Sequence, residues 1–152
     1  MSTPRAVSTV LPAVWLTAMF WHAVAWSQPT RDRLLDCIDV QAGDVETRLQ
    51  INMTIPVRYV SHFPHSSGNE LRVKLIPVVI SQGDRDALFA RESLAPVERV
   101  QSFLKEVIYE GDIEGGPYLT LLFARSVHFS VEQGRDSRSI VVRITAPAAQ
   151  PK

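Results

Sequence analysis

The residues most able to do chemistry in this chain are its histidines. His62 and His65 stand as H-x-x-H beside a proline turn, and His128 lies in an alternating apolar run. Three imidazoles, with Asp84 or Asp86 as a carboxylate partner, are enough to hold a catalytic metal. The local context argues against that chemistry. "HFPHSSG" reads as a turn rather than a helix face, and no H-E-x-x-H, C-x-x-C or carboxylate-rich loop accompanies it. A surface histidine pair is the expectation, with no metal and no cofactor. Nucleophilic catalysis has no support either: there is no G-x-S-x-G elbow, and Cys37 has no neighbouring histidine in sequence. Gly111, Gly115 and Gly116 lack the lysine of a phosphate loop. The sequence predicts a protein that is not an enzyme.

Binding chemistry is better represented. Arg48, Arg58, Arg72, Lys74, Arg125 and Arg143 fall on the polar parity of predicted strands, interleaved with Tyr59 and His128. Guanidinium groups beside an aromatic ring can hold carboxylates and sugars by bidentate hydrogen bonding and stacking. Arg58, Tyr59, Arg125 and His128 are singled out as ligand-binding candidates because two stretches share one plan. Arg58, Val60, His62 and Phe63 in the first correspond to Arg125, Val127, His128 and Phe129 in the second, and each stretch then reaches a glycine turn at Gly68 or Gly134. The plain alternative is a solvated face with cross-strand ion pairs.

The elements that must position these residues are strands. From Val45 to Ile55 one parity reads Val, Thr, Leu, Ile, Met, Ile and the other reads Glu46, Arg48, Gln50, Asn52, Thr54. Only a half-buried strand separates those sets onto two faces. Pro56 has no N–H to give and should end the ladder. Further strands are expected over 57–63 and 70–79 with a turn at 64–69, then at 107–109, 118–123, 127–131 and 138–144. Residues 81–106 lose the alternation; Pro96, Val97, Val100 and Leu104 have helical spacing, and an irregular crossover is the alternative. The expected fold is an all-β sandwich of two three-stranded antiparallel sheets joined by that irregular or short helical crossover. The repeated plan would be its pseudo-symmetry.

The ends bound the compartment. Arg5 is the one charge before an apolar run that finishes in Ala23-Val24-Ala25, a small-x-small cleavage pattern. Residues 1–25 are expected to be a signal peptide cut before Trp26; left uncleaved, the run would anchor the chain. Either outcome places the remainder outside the cytoplasm, with 26–44 as a lead-in, 45–145 as one β domain and 146–152 as a disordered tail. No further membrane span is expected. Without Arg5, 15 basic residues face 16 acidic ones, a formal charge of −1, which offers nucleic acid no concentrated basic patch. One cysteine in an exported chain means no internal disulfide. "LLDC" before it is a poor lipidation site, since Asp36 replaces a small residue, so Cys37 is expected to be a buried structural thiol.

With these strands in place, the chain resembles the AMIN domain, a β-sandwich of bacterial cell-wall amidases, some secretins and other envelope proteins. The resemblance covers about 45–144 and rests on "RLQINMTIPVRYVSH", "ELRVKLIPVV", "YLTLLFARSVHFSV" and "SIVVRI". The chain is also similar to the leading segment of large envelope proteins that continue into helical repeats. The resemblance implies a non-catalytic periplasmic module that binds peptidoglycan. The alternative is an adaptor that docks on a secretion or pilus assembly through a sheet edge.

Overall fold

A computed structural model describes residues 33–78 and 85–145. The expected signal peptide, its cleavage site, Asp84 and the expected tail lie outside them. Eight strands form: β1 (Leu35–Ala42), β2 (Glu46–Met53), β3 (Val57–Phe63), β4 (Ser67–Pro77), β5 (Arg91–Leu94), β6 (Leu104–Glu110), β7 (Tyr118–Gln133) and β8 (Ser139–Thr145). The crossover carries one helical turn at Arg85–Leu88 and a 3-10 turn at Glu98–Val100. The fold is therefore all-β and sandwich-like, with a short helical crossover as the sequence predicts. The strands belong to one continuous antiparallel sheet rather than two separate three-stranded ones.

Strand β7 organises that sheet. One of its edges pairs with β4 along most of its length. The other edge is shared: β6 occupies residues 104–110 opposite 118–123, and β8 takes over from His128 to Gln133. The sequence reads 118–123 and 127–131 as separate strands because Arg125 and Ser126 interrupt the apolar pattern. The chain stays extended through them while β4 skips from Glu70 to Gly68 against Leu122 and Val127, so they bulge out of the ladder. Two arms thus leave the same edge. The first is β6–β5, continuous across β7 with β4–β3; the second is β8–β2–β1.

The inner faces of both arms build one core. Alternation puts Leu49, Ile51 and Met53 of β2 inward together with Ile140, Val142 and Ile144 of β8. Leu71, Val73, Leu75, Leu119 and Leu121 supply the facing layer. The arms meet again where the Glu92 carboxylate on β5 accepts the backbone N–H groups of Leu34 (2.7 Å) and Leu35 (2.9 Å) at the start of β1. The expected lead-in therefore ends in a strand, one that its exposed polar residues conceal from a pattern search. Cys37 lies on the exposed part of β1, which corrects the expectation of a buried thiol. Among the described strands β1 is an edge paired to β2, and Cys37 stays exposed there, its Sγ accepting the Asn52 amide N–H at 3.3 Å.

The two halves do not form equivalent meanders. In the second, β6, β7 and β8 pair in sequence. In the first, β2 ends at Met53, and the chain passes beneath the β7–β8 turn, where Val57 N–H donates to the Ser137 carbonyl at 2.8 Å. β2 thereby pairs with β8 and β1, leaving β3 to pair with β4 alone. Gly134 permits the tight β7–β8 turn, because a Cβ there would lie 1.9 Å from the Ser139 hydroxyl oxygen.

Candidate functional site

The most developed polar constellation lies on the outer face of the β3–β4–β7–β6–β5 arm. Register aligns Ser61, Lys74, Tyr118, Glu110 and Arg91 in one row across five strands. The adjacent row holds Phe63, Arg72, Thr120, Ile108 and Ser93. Side chains opposite one another in such rows are within reach, so pairing alone gathers charges distant in sequence.

Glu110 anchors the group. Its carboxylate is only 6% exposed, yet Arg91 reaches one oxygen at 2.8 Å and Arg72 the other at 3.1 Å. The Thr120 hydroxyl donates to that second oxygen at 2.6 Å. Burial by itself would raise the Glu110 carboxyl. The hydrogen bonds from Thr120 and Arg72 and the charges of Arg72 and Arg91 outweigh it and hold the group below the usual glutamate range. Arg72 also meets Glu70 at 3.5 Å.

Tyr118 supports the cations from beneath. Lys74 Nζ lies 4.7 Å from its ring centroid and the Arg72 guanidinium 5.5 Å from it. Lys74 is further fixed by donating to the Gly116 carbonyl at 2.9 Å. The ring is therefore a platform for two cations rather than an open surface for stacking a sugar. Arg72 and Arg91 remain about half exposed despite their ion pairs. With Arg58 on the same face opposite Ile76, four cations face Glu110, Glu70 and Glu106, a surplus of one charge. Such a face can hold anionic groups through its exposed N–H donors.

Of the four residues picked from sequence, only Arg58 belongs to this face. Tyr59 turns to the other side of β3, packs on the core, and donates its backbone N–H to Gln133 Oε1 at 2.7 Å. Arg125 sits in the β7 bulge and lines a cavity of about 80 Å³ with Phe103 and Val127. His128 is outward and exposed, between Ser67 on β4 and Thr145 on β8. Arg58 lies opposite one end of β4 and Arg125 opposite the other, roughly 20 Å apart at the rise of a strand. The four do not converge.

The H-x-x-H pair is tied up internally. His62 Nε2 lies 2.9 Å from the His65 carbonyl, which can only accept, so that nitrogen carries the proton. His62 Nδ1 is then free to accept the Tyr59 hydroxyl at 2.7 Å. Both ring nitrogens are in use, and ligation would break one of these bonds. Asp86 lies in the exposed helical turn, and no group of three metal-ligating side chains occurs among the described residues.

Sequence reasoning placed Arg72 and Lys74 on a polar face but missed Arg91, Glu110, Tyr118 and Thr120. Glu110 follows directly on an apolar run, and that position was its one visible signal. Comparison with protein-family models, curated proteins and solved structures finds no match for this chain.

Proposed function

We propose that the protein is a non-catalytic module of the bacterial cell envelope whose cationic face on β3–β4–β7–β6–β5 binds peptidoglycan through the carboxylates of its stem peptides. The observation that carries the reading is the set of Arg and Lys donors gathered in neighbouring rows around Glu110 and Tyr118, with Arg72 and Arg91 still about half exposed. Covered by cations, the ring favours recognition by charge over sugar stacking. The apolar amino-terminal run ending in Ala-Val-Ala supports an envelope location.

The test uses Arg58 and Lys74, which make no ion pair with an acid among the described residues, so their loss leaves the Glu110 cluster intact. Purified sacculi should retain the wild-type protein at low salt and release it as salt rises. An Arg58→Gln/Lys74→Gln double variant should be retained about ten-fold less, the loss of roughly 1.4 kcal/mol. No wild-type retention at any salt would sink the reading.

A second reading, a protein adaptor, is favoured by the edge of β3 over residues 60–63, beyond the Val57 and Tyr59 groups that Ser137 and Gln133 occupy. Val60 and Phe63 there are 46% and 72% exposed, on a strand that pairs with β4 alone among the described strands. An added strand from a partner would pair with that edge. Cross-linking that depends on Phe63 while sacculi fail to bind would favour the adaptor.

A further inference from the structure

The outer face of the other arm contains an arginine with no acid. Arg48 on β2 lies directly opposite Arg143 on β8. Like charges in that position repel unless something neutralises them. Arg143 is neutralised twice, by Glu132 at 2.7 Å and Glu46 at 3.2 Å. Arg48 is not: no ion pair among the described residues includes it. Its Nε is buried and has no hydrogen-bond partner, the single such side-chain atom among the described residues. A buried N–H donor without an acceptor costs free energy, and in native proteins such groups usually mark a missing partner.

The surroundings define what that partner would be. Arg48, Gln50, Arg135 and Asp136 line a groove of about 320 Å³. Arg135, in the β7–β8 turn, also lacks an acid among the described residues. Gln50 spends one amide N–H on Asn52 Oδ1 at 3.0 Å, leaving its other groups for a ligand. Asp136 is committed to the turn through Oδ1, which accepts from Ser139 Oγ at 2.7 Å and Arg138 N–H at 3.0 Å. Val141 points outward by register, across from Gln50 and Glu132, and is still only 1% exposed. The aliphatic parts of the long side chains around it cover it.

We propose that this groove is a binding subsite for a carboxylate group, with Arg48 as the principal donor and Arg135 as the second. The groove sums to +1 from two arginines and one aspartate, so a monoanion balances it. A phosphate dianion would overcompensate and face Asp136. A carboxylate also matches the planar fork of a guanidinium. This subsite is on a different arm from the cationic face, and neither reading requires the other.

The test is a titration of the full-length isotope-labelled protein, following the arginine Nε–H resonances by NMR. Acetate is the probe, with inorganic phosphate and sodium chloride as comparators. Acetate should shift the Arg48 Nε–H resonance saturably, whereas chloride should not. Arg135→Gln, a change in an exposed turn, should weaken acetate about ten-fold, as expected for one lost charge-assisted hydrogen bond. Arg48→Lys keeps the charge and the stem but loses the fork, and should abolish saturation with strand resonances elsewhere unmoved. Lys74→Gln, on the other arm, should leave acetate affinity unchanged. A shift that never saturates, or an affinity unaltered by Arg135→Gln, overturns the subsite. Tighter binding of phosphate than of acetate overturns the carboxylate assignment.

Discussion

On β3, the run Val60-Ser61-His62-Phe63 turns His62 inward, its ring edge-on to Phe129 at 6.4 Å, and leaves Phe63 72% exposed. On β7, Val127-His128-Phe129 does the reverse. Phe129 is buried and stacked on Phe123 at 6.1 Å, while His128 faces outward. The similar residue types are arranged on opposite faces. The cause is one extra residue. β3 pairs Tyr59 with Leu75 and Ser61 with Lys74, so Val60 opposes nothing and every following side chain changes face. β7 keeps its inward parity from Leu119 to Phe129 despite its own bulge. The positions differ as well: β7 has neighbours on both edges, whereas β3 is an edge strand. A central strand over-determines its residues; an edge strand tolerates substitution and is open to partners.

The largest expected effect tests that contrast at the phenylalanines. Phe129→Ala should cost about 3–4 kcal/mol in urea unfolding, from lost burial and the cavity left behind. Phe63→Ala should fall within about 0.5 kcal/mol. Equal effects would mean that β3 and β7 are not packed as described.

Glu110 comes next, since it is bound by Thr120 of the central strand. Glu110→Gln should cost about 2 kcal/mol at neutral pH, the scale of hydrogen bonds to a charged group. The same variant carries a pH signature. The folded carboxyl is held below its ordinary value, so its contribution is complete above an unfolded pKa of about 4.3. It is lost as pH falls through the lower folded value. Acid titration of stability should therefore be shallower for Glu110→Gln than for wild type below about pH 4.3. An unchanged slope would remove Glu110 from the account.

The smallest contrast is between the histidines. His62→Ala loses the Tyr59 and His65 hydrogen bonds and should cost about 1 kcal/mol. His128→Ala should cost less than about 0.5 kcal/mol, being exposed. Comparable urea midpoints for the two variants would mean that His62 is not latched inward.

Much of the framework was legible in the residues. Period-two alternation identified β2, β4, β8 and both parts of β7, because one buried face selects apolar residues at every second position. β2 stops at Met53, before Pro56 is reached: Met53 N–H turns to the Arg138 carbonyl and Thr54 N–H to that of Leu34, so the missing N–H of Pro56 is not what ends the ladder. β1 and β5 escaped notice: as edge strands they bury few side chains and carry little pattern. The paired histidines suggested a repeat because residue type is visible in sequence and facing is not.

The tertiary structure alone decided partners. That β2 crosses to β8 instead of pairing with β3 follows from how the chain passes the β7–β8 turn, a contact between residues 57 and 137. Register then assembled Arg72, Arg91, Glu110 and Tyr118 from four strands, and set Arg48 opposite Arg143 with no acid of its own. Alternation is a local consequence of backbone geometry and can be read one strand at a time. Which charge meets which depends on pairing between distant strands, and a one-residue bulge is enough to change the answer.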